Sequence, residues 1–202
     1  MRLIRDIFLV DDDVTVCHVL TVILEDYGYH VRTFPSAEAF LENEGGATEG
    51  IMLLDLRMRG MSGLELQAEL IRRGIALPII IISGRADVRT SAETIKAGAI
   101  DFLEKPFSNE DLLASIRVAF SRADDSKEFA ELRQRHASLT DREQEVMRHV
   151  VSGLTNRVMA KLLSLSKRTI EAHRSRFMNK MGAKSLPNLV QKYDMCQKST
   201  LL

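Results

Sequence analysis

"FLVDDDVTV", residues 8–16, stacks three aspartates directly behind an apolar run. Two chemistries fit such a stretch. In one, Asp11 attacks phosphate as a nucleophile and Asp13 serves as the acid. In the other, the carboxylates form one wall of a metal-binding acid pocket whose nucleophile lies elsewhere. The rest of the chain has to separate them.

Similar apolar runs recur at "IFLV" (7–10), "IMLL" (51–54) and "LPIIIIS" (77–83). Weaker ones are "YHVRTF" (29–34) and "AIDFLEK" (99–105). Helical patterns lie between them. Val16, Leu20, Ile23, Leu24 and Tyr27 repeat at helical spacing over 14–27, and Gly28 stops that helix. Residues 36–43, 63–73, 86–97 and 108–120 behave likewise. Strands alternating with helices imply a parallel sheet covered on both faces. Five such units in residues 1–121 predict a flavodoxin-like α/β domain with strand order 2-1-3-4-5 and its site at the carboxyl ends of the strands.

Those strand ends carry Asp11, Asp12 and Asp13; then Asp55; then Ser83; then Lys105 and Pro106. Carboxylates hold a hard cation such as Mg²⁺. Lysine and hydroxyl groups neutralise and hydrogen-bond phosphate oxygens. The inventory is therefore one for phosphoryl groups and metal.

A DxDxT phosphatase would use Asp11 and Asp13, and Ser83 and Lys105 fill two further slots. It also needs a later acidic pair. After Lys105 comes "PFSNEDLLASIRVAF", an amphipathic helix with no strand leading into it. The capping insertion usual after the first motif is missing, and Asp55 is left without a task.

The pattern "VDDD…LLDLRMRGMSG…IIISG…FLEKPF" resembles the receiver domain of two-component response regulators over residues 1 to about 121. The resemblance implies that Asp55 is the phosphoacceptor. Asp11, Asp12 and Asp55, with the backbone carbonyl of Arg57, then hold Mg²⁺ or Mn²⁺. Ser83 is the switch hydroxyl, Lys105 pairs with the phosphoryl group, and Phe102 is the switch aromatic. Pro106 matches a proline whose preceding bond is often cis. Asp13 is left as the helix N-cap. Phosphorylation adds roughly −1.5 to −2 charges. Such a charge biases a bistable face made by the fourth helix, fifth strand and fifth helix. One departure is Arg59, where the family usually has proline. It is expected to alter kinase docking or loop mobility.

Net charge is zero, but by cancellation. Residues 1–120 hold 12 basic and 19 acidic side chains, whereas 137–202 hold 12 and 5. An acidic front and a basic back predict two domains with different partners. In the back half, Thr140 and Glu143 form a capping box before "VMRHVV". Gly153 stops that helix, Thr155 caps "NRVMAKLL", "SLS" turns the chain, and Ser166 caps a helix from Lys167 to Met181. A fourth helix follows from about Leu186 to Met195. Two short helices around a tight turn predict a helix-turn-helix. "LTDREQEVMRHVVSGLTNRVMAKLLSLSKRTIEAHRSRFMNKMGAKSLPNLV" resembles the LuxR-type DNA-binding domain, with Arg157, Val158 and Met159 as its departures. The whole chain is thus similar to FixJ/NarL-type response regulators.

In the third helix of this half, Ile170, His173, Phe177 and Met181 fall on one stripe, which makes His173 a core or capping histidine. The opposite face carries Arg168, Ala172, Ser175, Arg176 and Asn179, with Glu171 and Arg174 at its edges; it should enter the major groove. The resemblance puts Glu171, Ala172 and Ser175 at base-reading positions. Lys167, Arg174, Arg176, Lys161 and Arg157 then hold phosphates. The connector 122–136 lacks Gly and Pro and is predicted to be helical, extending the fifth receiver helix.

The expectation is a cytoplasmic transcription regulator. No apolar run approaches the roughly 18 residues of a membrane span. Cys17 and Cys196 read as packing residues in a reducing compartment. A sensor histidine kinase, double-stranded DNA and RNA polymerase are the implied partners. Phosphorylation promotes homodimerisation. The chain is not an enzyme beyond slow loss of its own phosphoryl group.

Overall fold

The computed structural model describes residues 5–44, 49–84 and 88–198. The chain divides into two compact units, one through Asp124 and one from Asp125 onward.

In the first unit, the described residues form five parallel strands: β1 (Asp6–Val10), β2 (His30–Phe34), β3 (Ile51–Asp55), β4 (Ile79–Ser83) and β5 (Asp101–Glu104). Their order is β2-β1-β3-β4-β5. Helices α1 (Val14–Asp26), α2 (Ala37–Glu44), α3 (Gly63–Arg72), α4 (Val88–Lys96) and α5 (Asn109–Ala137) follow the successive strands. Residues 86 and 87, where the pattern starts the fourth helix, lie outside the described residues.

Side chains alternate across a pleated strand, and this sheet uses both sides. Ile7, Leu9, Ile51, Leu53, Ile80, Ile82 and Leu103 pack with α1 and the first part of α5. Phe8, Val10, Met52, Leu54, Ile79 and Ile81 pack with α2 and α3. Continuous apolar runs are needed because neither face meets water. Each such side chain, fully buried, contributes about 1.5–3 kcal/mol.

Register fixes the site. Asp55 pairs with Ile82 and Ser83 with Glu104, so the strands end at one level. Gly63 opens α3 against the end of β3, where a Cβ would collide with the Asp55 carbonyl oxygen.

α5 continues as one helix to Ala137, well past the 108–120 of the apolar pattern. The second unit then holds α6 (Asp141–Val151), α7 (Asn156–Leu162), α8 (Lys167–Lys180) and α9 (Leu186–Lys198). Val146, Met147, Val150, Met159, Ile170, Phe177, Met181 and Leu189 form its core, joined by Leu132 and Leu139. The caps fall where composition places them. Thr140 and Glu143 make a reciprocal box, while Thr155 and Ser166 accept from the N–H groups of Val158 and Thr169. Four residues, with Ser164 at φ 55, turn the chain between α7 and α8.

Candidate phosphoryl site and nucleic-acid face

Asp11 follows β1 directly and is buried, as are Asp55 and Ser83 at the ends of their strands. Lys105 reaches in from the end of β5. Its Nζ donates to Asp11 Oδ2 at 2.6 Å and to Asp55 Oδ1 at 2.9 Å. Backbone N–H groups fill further positions: Asp13 N donates to Asp11 Oδ1 at 2.9 Å and Arg57 N to Asp55 Oδ2 at 2.7 Å.

Burial pushes the Asp55 carboxyl above its ordinary value, against the opposing pull of Lys105. Burial also works against the Lys105 ammonium, but its bonds to Asp11 and Asp55 outweigh that and leave it raised. Lys105 is therefore a charged lysine shared by two carboxylates. Asp13 stays outside the pocket. It caps α1, and the N–H groups of Thr15 and Val16 hold its carboxyl below the usual range. The Cys17 thiol, pushed up to about 11 by burial, donates to the Asp11 carbonyl oxygen at 3.4 Å.

Asp12 is exposed and accepts from the backbone N–H of Arg59, in the loop after β3, at 3.3 Å. Among the described residues, no three His, Cys, Asp or Glu side chains are grouped to hold a metal ion. The sequence expectation was that Asp11, Asp12 and Asp55 converge. The structure brings Asp11 and Asp55 together on Lys105 and places Asp12 against the following loop. The physical reason is charge: two buried carboxylates need a nearby cation, and Lys105 is within reach of both. The donor chemistry still suits a hard divalent ion. Carboxylate and carbonyl oxygens are its ligands, it keeps several waters, and one ammonium offsets only one of two buried negative charges.

Phe102 sits on β5 opposite Ile81, partly buried against the α2–α3 side of the sheet. It also lines a cavity of about 340 Å³ with Pro106, Phe107, Asp111, Ala114 and Ser115, among others. The Lys105–Pro106 bond is cis.

In the second unit, α8 exposes Lys167, Arg168, Glu171, Ala172, Ser175, Arg176 and Asn179 along one face. Arg157 and Lys161 are exposed on α7. Arg174 has a protein partner besides its sequence-based role. It is half-buried, and its Nη1 donates to Asn156 Oδ1 at 2.7 Å, tying α8 to the first turn of α7. His173 lies half-buried on the inner stripe; its Nδ1 finds no partner among the described residues. One ion pair between helices also positions this face, and no motif announces the pairing. Lys180, near the end of α8, donates to the buried Glu143 of α6 at 2.7 Å. Pattern reading assigned Glu143 a capping role alone, because a side chain's depth is not written in its spacing. No described helix is long and apolar enough to cross a membrane.

With this geometry in hand, the comparisons are specific. The family model for the response regulator receiver domain matches residues 7–117. That for bacterial regulatory proteins of the luxR family matches 137–193. The chain is 42% identical to the response regulator protein TmoT of Ectopseudomonas mendocina, over 92% of this chain and 86% of that one. It is 38% identical to the transcriptional regulatory protein FixJ of Bradyrhizobium diazoefficiens, over 92% of both. Among solved structures, the response regulator StyR is similar at a TM-score of 0.74 and 36% identity, covering 94% of this chain and 98% of that one.

Proposed function

Because the chain belongs to the response regulators that join a receiver to a luxR-family DNA-binding domain, we propose that a sensor histidine kinase phosphorylates Asp55 and so drives dimerisation and promoter binding. A protein so built regulates transcription within a two-component system and is not a classical enzyme. The proposed division is a receiver over 1–121, a helical linker over 122–136 and the DNA-binding domain over 137–202. The two bonds from Lys105 to Asp11 and Asp55 carry the reading, since they put an electrophile-binding cation against one buried carboxylate at a strand end.

In the proposed reaction the bond from phosphorus to the donor breaks as a bond to an Asp55 carboxylate oxygen forms. Asp11, Asp12, Asp55 and the Arg57 carbonyl would hold Mg²⁺ or Mn²⁺, which would supply positive charge against the incoming phosphoryl oxygens. Lys105 supplies the rest. Ser83 donates a hydrogen bond to the new phosphoryl group, and Phe102 moves inward as the switch aromatic. The aspartyl phosphate is lost slowly by hydrolysis.

The altered α4–β5–α5 face then pairs two receivers, and two DNA-binding domains engage adjacent half-sites. The second contact becomes effectively intramolecular, which raises affinity without new base contacts. Glu171, Ala172 and Ser175 read bases, while Lys167, Arg168, Arg176, Lys161 and Arg157 hold phosphates. Arg174 keeps four of its five donors for a phosphate beyond its bond to Asn156. RNA polymerase is the further partner, and the cytoplasm is the compartment.

The test uses acetyl phosphate and Mg²⁺ with the full chain. Wild type acquires an acid-stable, base-labile label, Asp55→Asn acquires none, and labelled protein elutes as a dimer. Label that persists in Asp55→Asn but vanishes in Asp11→Asn refutes the assignment. A gel shift at two salt concentrations tests the other half, since phosphate contacts demand a steep loss of affinity with salt.

A further inference from the structure

The loop that follows Asp55 shows a regular pattern. Arg57 N donates to Asp55 Oδ2 at 2.7 Å, Arg59 N to Asp12 Oδ2 at 3.3 Å, and Met61 N to Glu38 Oε1 at 2.8 Å. Alternate N–H groups therefore fall on three carboxylates from three elements: β3, the end of β1, and α2. The loop is closed at its far end by the capping box of Ser62 and Glu65, which starts α3. Glu38 also lies close to the residue before Met61. At Gly60, φ is +77, and a Cβ would stand 2.8 Å from Glu38 Oε1. Its own backbone N–H first, and then that of Met61, hold the Glu38 carboxyl below its ordinary value. Glu38 is thus an ionised acceptor aimed at a loop built to admit it, and such charge-assisted bonds are the stronger kind.

We propose that Glu38 is a positioning residue for the phosphoryl site. It holds the loop after Asp55 from its far end, so that the Arg57 carbonyl and Asp12 stand preorganised for a divalent cation. The inference rests on the proposed cation site at Asp11, Asp12 and Asp55. Glu38 touches neither the cation nor the reacting carboxylate. It acts by reducing the ordering that a cation would otherwise impose on the loop.

The experiment measures Mg²⁺ affinity of the full-length protein by calorimetry, together with hydrogen exchange of the 56–62 amides. Glu38→Ala is expected to weaken Mg²⁺ binding by about tenfold, the scale of one lost bond to a charged group, and to speed exchange at Met61. Glu38→Gln keeps an acceptor oxygen and recovers most of the affinity, which a general loss of charge near the site would not do. The inference is overturned if Glu38→Ala binds Mg²⁺ within about twofold of wild type, or if Gln behaves like Ala. Should wild type show no Mg²⁺ binding that Asp11→Asn removes, both this inference and the cation reading fall. Binding that Asp11→Asn removes but Glu38→Ala leaves intact overturns this inference alone.

Discussion

Lys105→Met tests the electrostatics of the acid pocket most directly. The ammonium lies 2.6 Å from Asp11 and 2.9 Å from Asp55, two carboxylates that are 2% and 6% exposed. Methionine keeps much of the volume and removes the charge. Breaking a buried ion pair from one side costs about 3–5 kcal/mol, because the other side stays buried and unpaired. The Lys105 side chain retains 23% exposure, which places the expected loss near the lower end, about 3 kcal/mol. The loss should depend on pH in a defined sense. Burial already holds Asp55 above its ordinary value, and removing Lys105 raises it further. A carboxyl with a raised folded value penalises folding where it must ionise, and the penalty fades once it is protonated in both states. The deficit relative to wild type is therefore complete at about pH 7.5. It shrinks as pH falls through the raised folded value, and the Asp55 part vanishes below the unfolded value of about 3.8. The raised Lys105 stabilises wild type until pH climbs past 10.5 toward its folded value, so it stays charged throughout this window. Urea unfolding followed by hydrogen exchange in β1, β3 and β5 reads the first unit separately from the second. A deficit below about 0.5 kcal/mol at pH 7.5, or one undiminished near pH 4, would refute the reasoning.

Asp13→Ala should lower stability by about 1 kcal/mol in the same unfolding assay, through loss of the α1 cap, while leaving Asp55 labelled by acetyl phosphate. Lys180→Met should destabilise the second unit by about 1–2 kcal/mol, a figure discounted because the lysine is 38% exposed. Glu143 has a depressed folded value, so its pairing contributes above the unfolded 4.5 and is lost as pH falls through the folded value; the Lys180→Met deficit in thermal melts should fade in that same range. Arg176→Ala should weaken binding to all DNA sequences alike and reduce the log–log salt slope by about 1 in gel shifts. Glu171→Gln should instead change base preference at one position by about 1–3 kcal/mol, seen in competition between operator variants. Asn156→Ala frees Arg174 and should weaken DNA binding without altering base preference in that competition.

The sheet was legible because both its faces are buried. That requirement writes itself as "IFLV", "IMLL" and "IIIIS", and period-two alternation then sends Ile7 and Phe8 to opposite layers. The caps at Asp13, Thr140, Thr155 and Ser166 were equally plain, since small polar side chains at helix starts have one dominant use. The strand ends assembled Asp11, Asp55, Ser83 and Lys105 correctly at one edge, but could not show which acid Lys105 would share. Nor could they show that Asp12 would meet the backbone N–H of Arg59 in the loop after β3. The bond from Arg174 to Asn156 was not legible, because a basic residue at a helix edge carries no mark of the partner it meets across a turn. Glu38 escaped notice altogether. Its partner is a backbone N–H 23 residues away, and backbone donors have no letter in a sequence.

The bond from Arg59 N–H to Asp12 has a consequence for how such a position varies. Nineteen of the twenty amino acids supply the donor, whereas the proline usual in this family at the position cannot. Chains of this kind therefore divide in two: those able to tether this acid through a main-chain hydrogen, and those that must leave it untethered or hold it by other means. Comparing side chains alone would file Arg59 as a gain of charge. The difference that touches the acid is one backbone hydrogen gained.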